Sequence, residues 1–352
     1  SCNYGISKNA VKIPKNVIKE DSDILEVYSE NIIQSELFCR LRNLGLMKNS
    51  ARIPKPFFMA SLSNNLPIFG MEPLDIDLYN LIDKEFSKFK KISNRKKLGK
   101  RQRGDKVVIN NGKYKDKIVI LGGFQTRGVH QDKYHIPELK IYLESSEITK
   151  LDLAIFKRLF TKMILKMFES ICILIQDLQL HFDFIHRDMH AKNIMCKIFN
   201  SNDNKVSKIQ NWFLIDFGYA TMNLEIEETK EKVRINGDRI GIYNKYKEEK
   251  SKGKNTFDIR ILLYMLFIHK EKKLEKMLEK PVYDELLKIF NKIVSIFKKN
   301  KIGKTDHWHC CYKTLNVKTN LTSPEKFLRN FVNKPMFKKY LFYIENQNSQ
   351  YL

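Results

Sequence analysis

The sequence predicts an α+β protein in three stretches: a strand-rich segment at 1–82, a basic insert containing a β-hairpin at 83–148, and a helix-rich remainder at 149–352. Three observations carry this expectation. Short apolar and β-branched runs separated by turn residues crowd the first stretch. Long apolar patterns at helical spacing dominate the last. Inside that helical stretch, two apolar runs (Ile194 to Phe199 and Trp212 to Ile215) flank the polar Asn200-Ser201-Asn202-Asp203-Asn204, which reads as a hairpin.

In chain order, residues 1–15 read as a strand ending in Ala10-Val11-Lys12-Ile13. Residues 20–44 space Ile24, Leu25, Tyr28, Ile32, Leu37 and Leu41 as a helix, with Asp21 or Ser22 as its N-cap. Residues 52–60 and 66–72 form two strands around a Ser-Asn-Asn turn. The stretch 84–106 is strongly basic, and 106–121 alternates as two strands around Asn110-Asn111-Gly112. A long helix is expected over 150–182, apolar on much of its surface. After the hairpin, 219–256 is polar and charged, with no element assigned. Two helices are expected over about 271–299. His307-Trp308-His309-Cys310-Cys311 has no spacing that closes a tetrahedral zinc site. Thr322-Ser323-Pro324-Glu325 opens a last helix as a capping box.

The chemistry concentrates in Ile185-His186-Arg187-Asp188-Met189-His190-Ala191-Lys192-Asn193 and in Asp216-Phe217-Gly218. The first string reads H-R-D-x-x-x-x-N and the second D-F-G, with a hairpin between them that returns the chain to one cleft. Phosphoryl transfer from a nucleotide needs a divalent cation across the phosphates and a carboxylate near the attacking hydroxyl. Mg²⁺ prefers oxygen, so the Asp216 carboxylate and the Asn193 amide oxygen suit it as ligands, with phosphates completing the shell. Asp188 is then placed to orient the hydroxyl and take its proton.

These strings resemble the protein-kinase-like superfamily, over most of the chain except the insert. The resemblance implies two lobes, a small β-rich N-lobe and a larger helical C-lobe, and an ATP-dependent phosphotransferase using Mg²⁺ or Mn²⁺. A divergent serine/threonine protein kinase with a protein substrate is the leading expectation. Lys12 matches the strand lysine that holds the phosphates, with Lys15 as fallback, and Glu36 its helix partner, with Glu30 as rival. An exposed i,i+4 surface carboxylate is the plain alternative for Glu36. Residues 71–81 are similar to the hinge and following helix. Backbone groups near Met71, Glu72 and Leu74 then meet adenine, and Asp75 or Asp77 the ribose. His186 is expected to be a support, Arg187 to meet a phosphorylated residue or a nearby carboxylate, and Asp258 to hold the catalytic-loop backbone, a helix cap being its plain alternative.

Three departures from the family pattern matter. Only Tyr4-Gly5 resembles the end of a glycine-rich loop, and no A-P-E string follows the D-F-G. His190 stands where serine/threonine kinases usually carry Lys, as in aminoglycoside, choline and lipopolysaccharide kinases; Lys192 is the substitute source of charge. A small-molecule, lipid or sugar kinase is therefore the second expectation, and a non-catalytic nucleotide- or nucleic-acid-binding scaffold the third.

The totals set outer bounds. A net charge of +24 and a pI near 9.6 point to acidic partners: nucleotide, nucleic acid or another polyanion. Lysine-rich, Ile- and Asn-rich usage also fits an AT-rich genome, such as that of a large DNA virus. The 106–121 piece resembles a KOW-type hairpin, which implies nucleic acid as a partner of the insert; a solvated insert is the plain alternative. Six cysteines without framework spacing fit a reducing compartment. No uncharged apolar run reaches spanning length. An intracellular, cytoplasmic site is expected, meaning host cytoplasm or virion for a viral chain.

Overall fold

The computed structural model describes residues 10–12, 21–46, 51–61, 67–93, 106–108, 118–121, 133–136, 141–200, 206–226, 229–236, 254–299 and 322–343. Strands and helices are mixed along the chain, as an α+β class requires. The opening third holds β1 (Ala10–Lys12), α1 (Asp21–Asn43), β2 (Ala51–Arg52), β3 (Pro56–Ser61), β4 (Pro67–Met71), β5 (Ile76–Asp77) and α2 (Leu78–Ser93). Four strands follow: β6 (Lys106–Val108), β7 (Ile118–Leu121), β8 (Lys133–Ile136) and β9 (Ile141–Glu144). Then come α3 (Ser145–Phe182), β10 (Ile194–Asn200), β11 (Lys208–Leu214), β12 (Thr221–Glu225), β13 (Lys232–Asn236), α4 (Lys254–Met277) and α5 (Lys280–Lys299).

The described strands divide among four sheets, ordered β1-β4-β3, β2-β11-β10-β5, β12-β13 and β6-β7-β8-β9. In the first, all pairs are antiparallel and α1 packs on β3 and β4, burying Ile33, Leu37 and Leu41. The second ties distant parts of the sequence together. β10 and β11 pair as the expected hairpin, with Ile194 opposite Leu214; β5 joins one edge and β2 runs parallel to β11 on the other. Residues 51–52 therefore belong with the hairpin and not with the strand at 56–61, which the sequence pattern had merged with them.

Helix boundaries differ from the sequence expectation in informative places. α1 begins at Asp21, so Asp21 and Ser22 lie inside its first turn. α2 runs to Ser93 and buries Glu85, Lys88 and Ile92, so the first part of the basic stretch is helix and packs against the core. One buried carboxylate oxygen collects two donors: Glu85 Oε1 accepts from Lys88 Nζ one turn on at 3.0 Å and, across the chain, from Ser207 Oγ at 2.7 Å, which pins the hairpin's return strand. The 106–121 hairpin pairs Val108 with Ile118, a register centred on residue 113, and β8 and β9 extend it to four strands. Its turn at Asn110-Asn111-Gly112 lies outside the described residues, as does the His307–Cys311 cluster.

α4 continues to Met277 and one helix follows, where two were expected. Its residues 256–264 are buried almost throughout, and it packs on α2, α3 and α5. Phe267 stacks on Phe290 at 4.9 Å between ring centroids, and Tyr264 meets Phe297 at 4.7 Å. The short helix α6 (Pro324–Phe327), followed by α7 (Lys338–Leu341), is capped by Ser323, whose hydroxyl accepts from the Lys326 amide. Thr322, the expected cap, instead donates to the Thr256 carbonyl at 2.8 Å. Residues 219–236, left without an element by the sequence, form the β12–β13 hairpin; the alternation of Leu224, Val233 and Ile235 with charged residues was its signal. Among the described residues, no helix is long and apolar enough to cross a membrane.

Candidate active site

The loop from Ile185 to Asn193 is held at every few residues. Ile185 exchanges both backbone hydrogen bonds with Thr221, at 3.0 and 2.9 Å. The next two amides, His186 and Arg187, donate to the two carboxylate oxygens of Asp258 on α4, at 3.0 and 2.9 Å. Asp258 lies a full turn into α4, so its side chain serves the loop and not the helix start. The His186 ring bonds through Nε2 to the Ile215 carbonyl at 2.9 Å and packs against Phe184 and Phe217. His186 is thus a support, linking the loop to the chain just before Asp216.

Two backbone outliers flank the site. Arg187 (φ 65°) and Asp216 (φ 63°) are both in the left-handed region. A non-glycine residue there costs on the order of 1 kcal/mol or more, and it persists only where the surroundings over-determine it. The Asp258 clamp does so for Arg187. For Asp216, the Ile215 amide donates to the Asn193 carbonyl at 3.0 Å, the last rung of the β10–β11 ladder, and the buried Phe217 anchors the other side.

Those bonds bring Asp188, Asn193 and Asp216 to one patch. Asn193 Nδ2 donates to the Asp188 carbonyl at 2.8 Å and to Asp188 Oδ2 at 3.2 Å. Amide planarity then turns Asn193 Oδ1 away from Asp188. His190 Nε2 lies 3.5 Å from Asp188 Oδ1, while its Nδ1 accepts the Lys192 amide at 3.2 Å. A neutral His190 therefore carries its proton on Nε2, facing Asp188. Burial lowers the His190 pKa against the charges of Asp216 and Asp77, which favour protonation. Burial likewise lowers His186 to about 4 and raises Asp258 to about 6, the latter opposed by the two loop amides and by Arg187 and Arg260.

The donor set fits a hard divalent cation: one carboxylate and one amide oxygen, with no soft ligand. Among the described residues, no three His, Cys, Asp or Glu side chains form a metal cage of their own. A cation held by Asn193 and Asp216 would need further oxygens, from water or a phosphate group, to complete its shell.

The other expected residues fall into three groups. Lys12 is in β1 opposite Phe69, and its side chain lies outside the described residues, as does Lys15. Glu36 is bound at 3.0 Å to Arg40, the i,i+4 pairing that was its plain alternative, and Arg40 also donates to the Glu225 carbonyl of β12. Glu30, its rival, is buried in α1. Arg187 is buried and meets the Tyr219 carbonyl just after the D-F-G turn, at 3.4 Å.

In the stretch expected to be a hinge, the Glu72 amide and side chain are already engaged. The amide donates to the Lys55 carbonyl at 2.9 Å, and Oε1 accepts from Lys197 Nζ at 2.5 Å. Met71 pairs within the first sheet. Neither Leu74 backbone group has a backbone partner among the described residues. Asp75 accepts from the Ile198 amide at 2.6 Å. Asp77 caps α2, accepting from the Asn80 amide at 2.8 Å and its side chain at 2.7 Å. A cap is the role that the structure gives Asp77; the ribose contact expected from the resemblance is a question for the nucleotide complex. Sequence reasoning missed Tyr79, Asp83 and Lys270 beside the loop; aromatic and charged residues on helices far apart in the chain leave no periodic signal. No family model matches the chain, and no curated protein matches it.

Proposed function

We propose that this chain is an ATP- and Mg²⁺-dependent phosphotransferase of divergent protein-kinase-like type, with two lobes, that transfers the γ-phosphoryl group to a serine or threonine hydroxyl of a protein. The observation that carries the reading is the hydrogen-bonded convergence of Asp188 and Asn193 on the turn that presents Asp216. In this reading Asp188 orients the acceptor hydroxyl and takes its proton as the oxygen attacks the γ-phosphorus. Asn193 holds one oxygen of Asp188 and His190 faces the other, so the carboxylate is preorganised. Asn193 Oδ1 and Asp216 would hold the Mg²⁺, which supplies charge stabilisation to the transferring phosphoryl group. The open Leu74 backbone groups offer the adenine a donor and an acceptor, and Lys12 serves the phosphates.

The test is transfer of label from γ-phosphate ATP to protein acceptors in the presence of Mg²⁺. The wild type should transfer label, and Asp188→Ala should lower the rate by about 10³-fold with nucleotide binding intact. Retained turnover in Asp188→Ala would overturn the assignment. His190 favours one further reading, phosphorylation of a small molecule; label transferred to a sugar or choline panel and to no protein would select it.

A further inference from the structure

We infer that a cavity beside the loop is a subsite for an acidic side chain of the protein acceptor, so that hydroxyls flanked by Asp, Glu or a phosphorylated residue are preferred. The inference rests on the phosphotransferase reading above and names its substrate class. The cavity, about 240 Å³, opens between the loop, the start of α2 and the middle of α4. His190 and Lys192 form its loop wall, Tyr79 its α2 wall, and Met265, Leu266 and Lys270 its α4 wall. His190 gives it a direct relation to the chemistry, because the same ring lies 3.5 Å from Asp188 Oδ1. An acceptor reaching Asp188 thus passes its neighbouring side chains over this opening.

Size and charge select the occupant. Sites that enclose free small molecules run from roughly 300 to 1,000 Å³; this cavity is smaller and suits one side chain of a bound segment. Two ammonium groups converge on Tyr79, Lys270 at 3.0 Å and Lys192 at 5.4 Å from its ring centroid. Lys270 is buried and shares the Asp83 carboxylate with Lys273, at 2.5 and 2.7 Å. Burial would raise the Asp83 pKa, yet the two lysines hold it below the usual range, so one carboxylate faces two cations. Lys192 is exposed and has no ion-pair partner among the described residues. The cavity therefore offers an apolar floor, Met265 and Leu266, and at its rim the ammonium of Lys192, without an ion pair among the described residues. A carboxylate or phosphate on a short methylene stem complements both.

A protein of net charge +24 attracts any acidic peptide, so the test has to separate the subsite from the general field. Fluorescent serine peptides flanked by Asp and Glu are compared with Asn/Gln twins by anisotropy, without nucleotide. The proteins are the wild type, Lys192→Glu, and Lys280→Glu, an exposed charge reversal on α5. The acidic peptide should bind the wild type about 10-fold tighter than its twin. Lys192→Glu should erase that ratio and Lys280→Glu should keep it. Equal ratios in the two reversals, no ratio in the wild type, or preference for a basic peptide would overturn the subsite. Turnover of the same peptides separates the two claims. Phosphorylation without acidic preference removes the subsite alone. Acidic preference in binding without phosphorylation of any peptide removes the phosphotransferase reading and leaves an acidic-peptide site.

Discussion

At the scale of single residues, the account turns on side chains that hold other side chains. Asp258 and His186 are both buried, one fastening the loop backbone and the other bridging to Ile215. Their burial moves two protonation equilibria in opposite senses. His186, near 4 when folded against about 6.5 unfolded, contributes stability above pH 6.5 that is lost as pH falls toward 4. Asp258, near 6 when folded against 3.8, contributes stability below pH 3.8 that is lost as pH rises through 6. The two nearly cancel in the wild type. Relative to it, His186→Gln should gain stability as pH falls from 6.5 to 4, and Asp258→Asn should lose it over pH 6 to 4, each by on the order of 3 kcal/mol. Denaturant titrations read by tryptophan fluorescence across that range check this; variants that track the wild type in parallel would contradict it. Asp258 was legible in the sequence because a resemblance pointed to it. The Glu36 pairing was legible as the plain alternative, because any helical carboxylate four residues before an arginine finds it without regard to a distant lysine.

At the scale of elements, the hairpin of β10 and β11 was readable from its two apolar runs, and the site inherits its geometry from that ladder. The β12–β13 hairpin was missed because its strands are short and carry charged residues on their open face. It nevertheless anchors the loop through Thr221 and reaches α1 through the Arg40 to Glu225 bond. The start of α2 shows a local rule acting at a residue that the resemblance also singles out. Asp77 precedes Leu78 and bonds to Asn80, which is the geometry of an N-cap. Asp77→Ala should cost about 1 kcal/mol in thermal or denaturant stability, and Asp77→Asn, an equally good cap, close to nothing. Both variants should leave the KM for ATP unchanged. A rise in that KM with stability intact would restore the ribose role.

At the scale of the whole molecule, the decisive event is closure of the β2-β11-β10-β5 sheet, which gathers residues from 51 to 214 around the loop. Sequence periodicity gives strands their faces but not their partners across such separations, so β2 could be assigned to its neighbour in sequence and not to β11. The motif strings escaped that limit because their spacing already implied a folded-back ribbon. What the net charge serves is a property of the entire surface, and the proposed preference for acidic acceptors would be its local expression at Lys192. The central claim is that Asn193 and Asp216 meet at one nucleotide-bound cation. Its most direct test is a crystal grown with Mn²⁺ and a non-hydrolysable ATP analogue, imaged by manganese anomalous scattering. The account predicts an anomalous peak ligated by Asn193 Oδ1, the Asp216 carboxylate and phosphate oxygens, with Asp188 facing the γ-phosphate. A nucleotide bound with its metal elsewhere, or no metal peak between those two side chains, would contradict it.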